Sequence, residues 1–178
     1  LGRMWFGTEE GVCIYDGVRT TVYKPSEYHR MDANPIGNRT QFIAGDKDGN
    51  IFFDSDYALI RYDIRTQQFT CLRESGVYCV DSIDGTIWVG IADSVFNWNP
   101  DKFQLDFVTK LESRNQHATC FRADSKGRYW IGTNDGLFRM NEDKSLTCII
   151  IGEDIYHLYE DSKDNLWISI RMNGIYKK

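Results

Sequence analysis

Short apolar stretches alternate with acidic, glycine-bearing turns along the chain, and the alternation itself repeats. Five segments align: GRMWFGTEEGVCIYD from Gly2, GNIFFDSDYALIRYD from Gly49, GTIWVGIADSVFNWN from Gly85, GRYWIGTNDGLFRMN from Gly127 and DNLWISIRMNGIYKK from Asp164. An aromatic stands three residues after each opening residue: Trp5, Phe52, Trp88, Trp130 and Trp167, spaced by 47, 36, 42 and 37 residues. Regular spacing of this size marks a repeat architecture in which each unit is one supersecondary element.

Within a unit every apolar run reads as a strand. The run before each anchor (Gln41–Ala44, Val77–Val80, Ala118–Phe121, Ile155–Tyr159) meets an acidic turn such as Asp46-Lys47-Asp48-Gly49 or Asp124-Ser125-Lys126-Gly127. Asp-Gly between apolar runs predicts a hairpin, because glycine takes positive φ without steric cost. Asp164 replaces that glycine in the last unit, and Asp tolerates the left-handed region better than most residues. The anchor strand follows, then a third strand such as Leu137–Met140, then a fourth run: Thr20–Tyr23, Gln67–Leu72, Phe103–Val108 or Leu146–Ile151. No segment holds a helical apolar period. The expected fold is all-β, a β-propeller segment of four-stranded antiparallel blades, roughly 4.5 in number. The blades are expected at residues 1–24, 40–73, 76–110, 117–151 and 154–178, the first without its innermost strand and the last without its outer one. That count predicts an open arc rather than a closed ring, with apolar faces and strand edges that invite self-association. The anchors should wedge between adjacent sheets, with Gly7, Gly90 and Gly132 two residues later making room for the neighbouring blade.

Composition narrows the function without naming it. The chain has 178 residues, 42% apolar, and 21 Lys+Arg against 26 Asp+Glu for a net charge of −5. One domain fits that length. The acidic balance and the lack of a basic stripe argue against direct contact with nucleic acid or an anionic membrane surface. No apolar run reaches the length of a membrane span, and Leu1-Gly2-Arg3 leads into patterned sequence without a signal-peptide pattern. Cys13, Cys71, Cys79, Cys120 and Cys148 lie in apolar runs with no C-x-x-C pair. Buried free thiols are the expectation; export would permit disulfides, with Cys71 and Cys79 the nearest pair in sequence. Asp46-x-Asp48-x-Asn50 opens like a calcium loop, but Tyr57 stands where the bidentate Glu belongs, so a hairpin turn is expected. Neither metal nor cofactor is expected.

The stretch from Asp124 to Arg139, Asp-x-x-Gly-x-Tyr-Trp-Ile-Gly-Thr-Asn-x-Gly-Leu-x-Arg, resembles the two-component regulator propeller repeat. Asp161 to Ile168 and Trp5 to Gly11 are similar to it again. The resemblance implies the extracytoplasmic sensor of hybrid two-component sensor histidine kinases from Bacteroidetes-type bacteria. In that family, paired propellers are followed by an immunoglobulin-like domain, a membrane span and a cytoplasmic kinase. It further implies a periplasmic location, oligosaccharide sensing that controls polysaccharide-utilisation genes, and a homodimeric parent. The partners are then an oligosaccharide or other small molecule and the remaining blades of the same parent. Unit two departs with Phe52 and Asp54, unit three with Ile91-Ala92-Asp93-Ser94, and unit five with Ser169.

Propeller ligands meet the face made by second-to-third-strand turns and inter-blade connections. The candidate ligand residues there are Tyr28, His29 and Arg30 in the longest connection, Tyr57, Arg114, Asn115, Asn134 and Arg171. Planar donors beside aromatics suit sugars, since hydrogen bonds orient hydroxyls while rings cover the apolar side. A catalytic constellation does not assemble. Of His29, His117 and His157, the last lies in a strand and is expected to face packing, and no nucleophile elbow is present. The chain is therefore expected not to be an enzyme. The alternative to sensing is a repeat-built protein–protein interaction scaffold.

Overall fold

The computed structural model describes residues 2–28 and 37–178. Five antiparallel sheets follow one another along the chain. The first holds β1 (Met4–Thr8), β2 (Gly11–Tyr15) and β3 (Thr20–Tyr23), and the one-turn helix α1 (Pro25–Tyr28) comes after it. The second holds β4 (Ile43–Gly45), β5 (Ile51–Ser55), β6 (Ala58–Asp63) and β7 (Gln68–Arg73). The third holds β8 (Val77–Ile83), β9 (Thr86–Ile91), β10 (Ser94–Asn99) and β11 (Gln104–Lys110). The fourth holds β12 (Ala118–Ala123), β13 (Tyr129–Thr133), β14 (Gly136–Met140) and β15 (Leu146–Ile151), and the fifth β16 (Ile155–Glu160), β17 (Leu166–Ile170) and β18 (Gly174–Lys177). Strands pair in chain order within every sheet. β4, β8, β12 and β16 neighbour one another successively, so they form the inner row of a propeller in an open arrangement. The all-β propeller expectation holds.

The hairpin before each anchor strand closes as its residues dictate. Gly49, Gly85 and Gly127 have φ of 84°, 74° and 72°, and Asp164 takes 61° in the same role. A turn aspartate caps three of these four hairpins, the one at Gly85 excepted. Asp124 Oδ1 accepts the N–H groups of Lys126 and Arg128 at 3.0 and 2.9 Å, while Oδ2 accepts the indole N–H of Trp130 at 2.8 Å. Asp161 repeats this with Lys163, Asn165 and the Trp167 indole, also at 2.8 Å. In the second sheet the anchor is Phe52, which has no N–H to give, and the Asn50 side chain takes the second oxygen of Asp46 at 2.8 Å.

Four hydrophobic clusters coincide with the four seams between consecutive sheets. The first four anchors each lean on the sheet that follows their own. Trp5 lies 4.9 Å from Tyr62 of the second sheet, and Phe52 lies 5.4 Å from Trp98 of the third. Trp88 meets Phe121 and Tyr129 of the fourth sheet at 5.9 and 5.4 Å. Trp130 packs with Ile155, Leu158 and Leu166 of the fifth. Glycine two residues after the anchor permits this approach. A Cβ on Gly90 would sit 2.9 Å from the Ala118 Cβ, and one on Gly132 2.8 Å from Ile155 Cγ2.

Each four-stranded sheet also carries a bulge in its outermost strand, at equivalent places. The pairing slips past Leu72 in β7, Val108 in β11 and Ile149 in β15. These extra residues turn into the seams, Leu72 beside the second-to-third cluster, Val108 in the third-to-fourth and Ile149 beside the fourth-to-fifth. No helix among the described residues is long and apolar enough to cross a membrane.

Candidate functional site

A second set of bulges lies in the inner row. Pairing with the anchor strand skips Tyr78 in β8, Thr119 in β12 and Tyr156 in β16. Each sits two residues before an apolar seam residue: Val80, Phe121 or Leu158. A bulge frees one residue from the ladder and re-aims its side chain. All three line a single cavity of about 590 Å³ where the inner strands converge. In the second sheet the matching residue is Gln41. Asp54, standing where other units have glycine, accepts the N–H groups of Gln41 and Phe42 at 2.8 and 2.7 Å. Burial raises the Asp54 carboxyl above its ordinary range despite these donors. Thr119 donates its hydroxyl to the Ile155 carbonyl, tying the fourth inner strand to the fifth.

The mouth of the cavity is aromatic and planar. The Tyr78 ring stacks on His117 with centroids 4.3 Å apart, and Tyr57 tilts against Tyr78 at 5.3 Å. The Arg171 guanidinium lies 5.1 Å from the centre of the Tyr156 ring, and its Nε is 2.8 Å from Asp154. Arg39 pairs through Nε with Glu9 at 3.4 Å. Burial lowers the His117 pKa, with the charge of Asp154 opposing, so the ring is a neutral platform near pH 7. Burial raises Asp81, against the backbone N–H groups of Ser82 and Phe121. Deeper in the wall, burial pushes the Cys120 thiol up to about 12 and Cys79 well above its ordinary value, so neither offers a thiolate nucleophile at neutral pH. All five cysteines are unbridged. Among the described residues, no group of three or more His, Cys, Asp or Glu is arranged to hold a metal ion.

The expected ligand residues divide. Tyr57, in the β5–β6 turn, and Arg171, in the β17–β18 turn, both line the cavity. Asn134 and Asn115 instead brace a connection: Asn134 accepts the His117 N–H at 2.9 Å and donates to the Asn115 carbonyl at 3.1 Å. They hold His117 in place without lining the cavity. Arg114 is exposed in the same connection, away from the lining. His29 and Arg30 lie outside the described residues, as does the side chain of Tyr28. His157 was expected to face packing; it is exposed and lines the cavity, because the bulge at Tyr156 shifts the alternation of β16. Arg39, Gln41, Tyr78, Thr119 and Tyr156 were not singled out from sequence. Their common signal is a polar or aromatic residue ten to thirteen positions before the anchor.

Comparison with known proteins places this geometry in context. Residues 113–135 and 149–171 match the sequence model of the two component regulator propeller. No curated protein matches the chain. Its fold is similar to the extracellular domain of a one component system from B. thetaiotaomicron, at 20% identity and a TM-score of 0.78, over 99% of this chain and 26% of that one. It is likewise similar to the extracellular domain of a hybrid two component system from the same bacterium, at 18% identity and 0.73, over 98% and 25%. Virginiamycin B lyase from Staphylococcus aureus shares the fold at 14% identity and 0.72, over 99% and 66%. The chain thus spans about a quarter of the length of the first two relatives. At these identities the likeness speaks for the fold alone, and the repeat match supplies the rest: the chain is an open set of β-propeller blades carrying two component regulator propeller repeats.

Proposed function

We propose that this chain is part of the extracytoplasmic, ligand-sensing propeller of a hybrid two-component sensor histidine kinase/response regulator. Its ligand is an oligosaccharide, and the response it feeds is expression of polysaccharide-utilisation genes. The supporting observation is the cavity mouth, where Tyr57, Tyr78, His117 and Tyr156 stand beside the planar donors Arg39 and Arg171. Aromatic faces cover the apolar side of a sugar ring while fixed donors read its hydroxyls. The segment performs no chemistry. A ligand touching several blades at once favours the arrangement in which those blades are correctly spaced, and a kinase attached downstream reads that preference. The site lies in the periplasm, on a parent that acts as a homodimer, with further blades of the same parent completing the wall. Titration calorimetry of the intact ectodomain against plant, host and microbial oligosaccharides tests the reading. Saturable binding of one of them, lost in Tyr78→Ala, is the expected result. No binding at millimolar concentration overturns it.

A further inference from the structure

The charge around the cavity is uneven in a way the neutral-sugar picture leaves unused. The chain as a whole has a net charge of −5. The cavity lining itself holds two guanidiniums, Arg39 and Arg171, and one carboxylate, Asp81, while the carboxylates that pair with the arginines, Glu9 and Asp154, stand outside the lining. Asp81 is already engaged, accepting the backbone N–H of its neighbour Ser82 at 2.8 Å. Arg39 lies in the connection leading into the second sheet and Arg171 in the β17–β18 turn of the fifth, the outer two of the four sheets whose inner strands bound the cavity.

Both arginines are held in the same manner. Arg39 approaches Glu9, and Arg171 approaches Asp154, through Nε, at 3.4 and 2.8 Å. Arg171 is further fixed by lying over the Tyr156 ring. Among the described residues, neither Nη pair has an acceptor. A guanidinium is a rigid planar fork, so a carboxylate on one edge orients the other edge for a second anion without cancelling its directionality. Ordering that fork in advance removes the rotamer cost a ligand would otherwise meet.

We infer that the cavity takes an acidic saccharide, one carrying a carboxylate on the sugar ring, with Arg39 and Arg171 as the residues that read the charge. The inference rests on the saccharide reading above and narrows it. Neutral sugars would satisfy the aromatic platforms yet leave both Nη edges unmatched, and losing a charge-assisted hydrogen bond costs roughly tenfold or more in affinity.

The test is calorimetry on the full chain with three probes at low ionic strength: trigalacturonate, its uncharged methyl ester, and glutarate as a carboxylate without a sugar. Trigalacturonate should bind roughly tenfold tighter than the ester. Arg171→Gln and Arg39→Gln should each bring that ratio toward one, and Arg171→Lys should retain part of it because charge survives without the fork. Melting temperatures identify any variant that has failed to fold; Arg39→Gln and Arg171→Gln report on opposite sides of the mouth, so each stands without the other. Equal affinity for trigalacturonate and its ester overturns the inference and leaves the saccharide reading intact. Glutarate binding without either saccharide keeps the charge inference and removes the sugar. Binding of none of the three overturns the inference, and the wider oligosaccharide panel on the intact ectodomain decides the saccharide reading separately.

Discussion

At the scale of single residues, Trp130 does two jobs at once. Its ring fills a seam and its indole N–H satisfies the turn carboxylate of Asp124, six residues earlier. Truncating Trp130, which is 2% exposed, removes the seam filling and one of the donors to the carboxylate, which keeps Lys126 and Arg128. Trp130→Ala should therefore cost about 3–5 kcal/mol in urea unfolding, whereas Arg114→Ala should stay within about 0.5 kcal/mol. The carboxylates make the stability pH-dependent with a definite sign. The Trp167 indole and Asn165 hold Asp161 well below the 3.8 of an unperturbed aspartate. At Asp124, burial opposes ionisation, but the Trp130 indole and Arg128 outweigh it. Groups lowered on folding contribute fully above their unfolded value and lose that contribution as pH falls toward the folded one. Protonating these two carboxylates should lower the urea midpoint below about pH 4. Asp161→Asn should start lower and drop less.

At the scale of the element, paired bulges explain how one strand both fills a seam and lines the cavity. In β16, Tyr156 is 60% exposed in the cavity while Leu158, two residues on, is 2% exposed in a seam. Leu158→Ala should cost about 2–5 kcal/mol, and Tyr156→Ala within about 0.5 kcal/mol, by chemical denaturation. Close contact at the seam makes the reverse change costly too. Gly132→Ala places a Cβ against Cys120 Sγ and Ile155 and should lose about 1–3 kcal/mol, while Gly2→Ala meets nothing within 4 Å and should be silent. The same bulges set what could be read from sequence. Anchors, hairpins and strand order were legible because Trp, Asp and Gly mark them locally at fixed spacing. Tyr57 and Arg171 were legible because turns advertise polar and aromatic tips. Tyr78, Thr119 and Tyr156 were not, since strict alternation through an apolar run assigns every residue after a bulge to the wrong face, and His157 was misjudged for that reason. Asn134 has ligand-like chemistry but spends it on the backbone of its own connection, to which Asn115 contributes main-chain groups; only the fold reveals this.

At the scale of the whole molecule, cohesion is local: seams join only consecutive sheets. Inner sheets have a seam on each side, and the first and fifth have one. Such arrays behave as a row of nearest-neighbour couplings. Amide hydrogens of β1–β3 and β16–β18 should accordingly exchange before those of β8–β10 and β12–β14 in native-state hydrogen exchange; uniform exchange would mean a single cooperative unit. The two ends also differ in kind. Met4 and Phe6 are exposed on the first sheet, and Tyr159, Ile175 and Tyr176 on the fifth, beside the half-buried Trp167.

Because the anchors Trp5, Phe52, Trp88 and Trp130 each reach forward onto the next sheet, the molecule has a head and a tail. Its tail offers a ring in need of a cover, and its head offers the cover. Two copies meeting through these surfaces would join tail to head, leaving one of each still free, so association of this kind does not stop at a pair. Light scattering at rising concentration should then show a broadening ladder of masses in place of a single dimer.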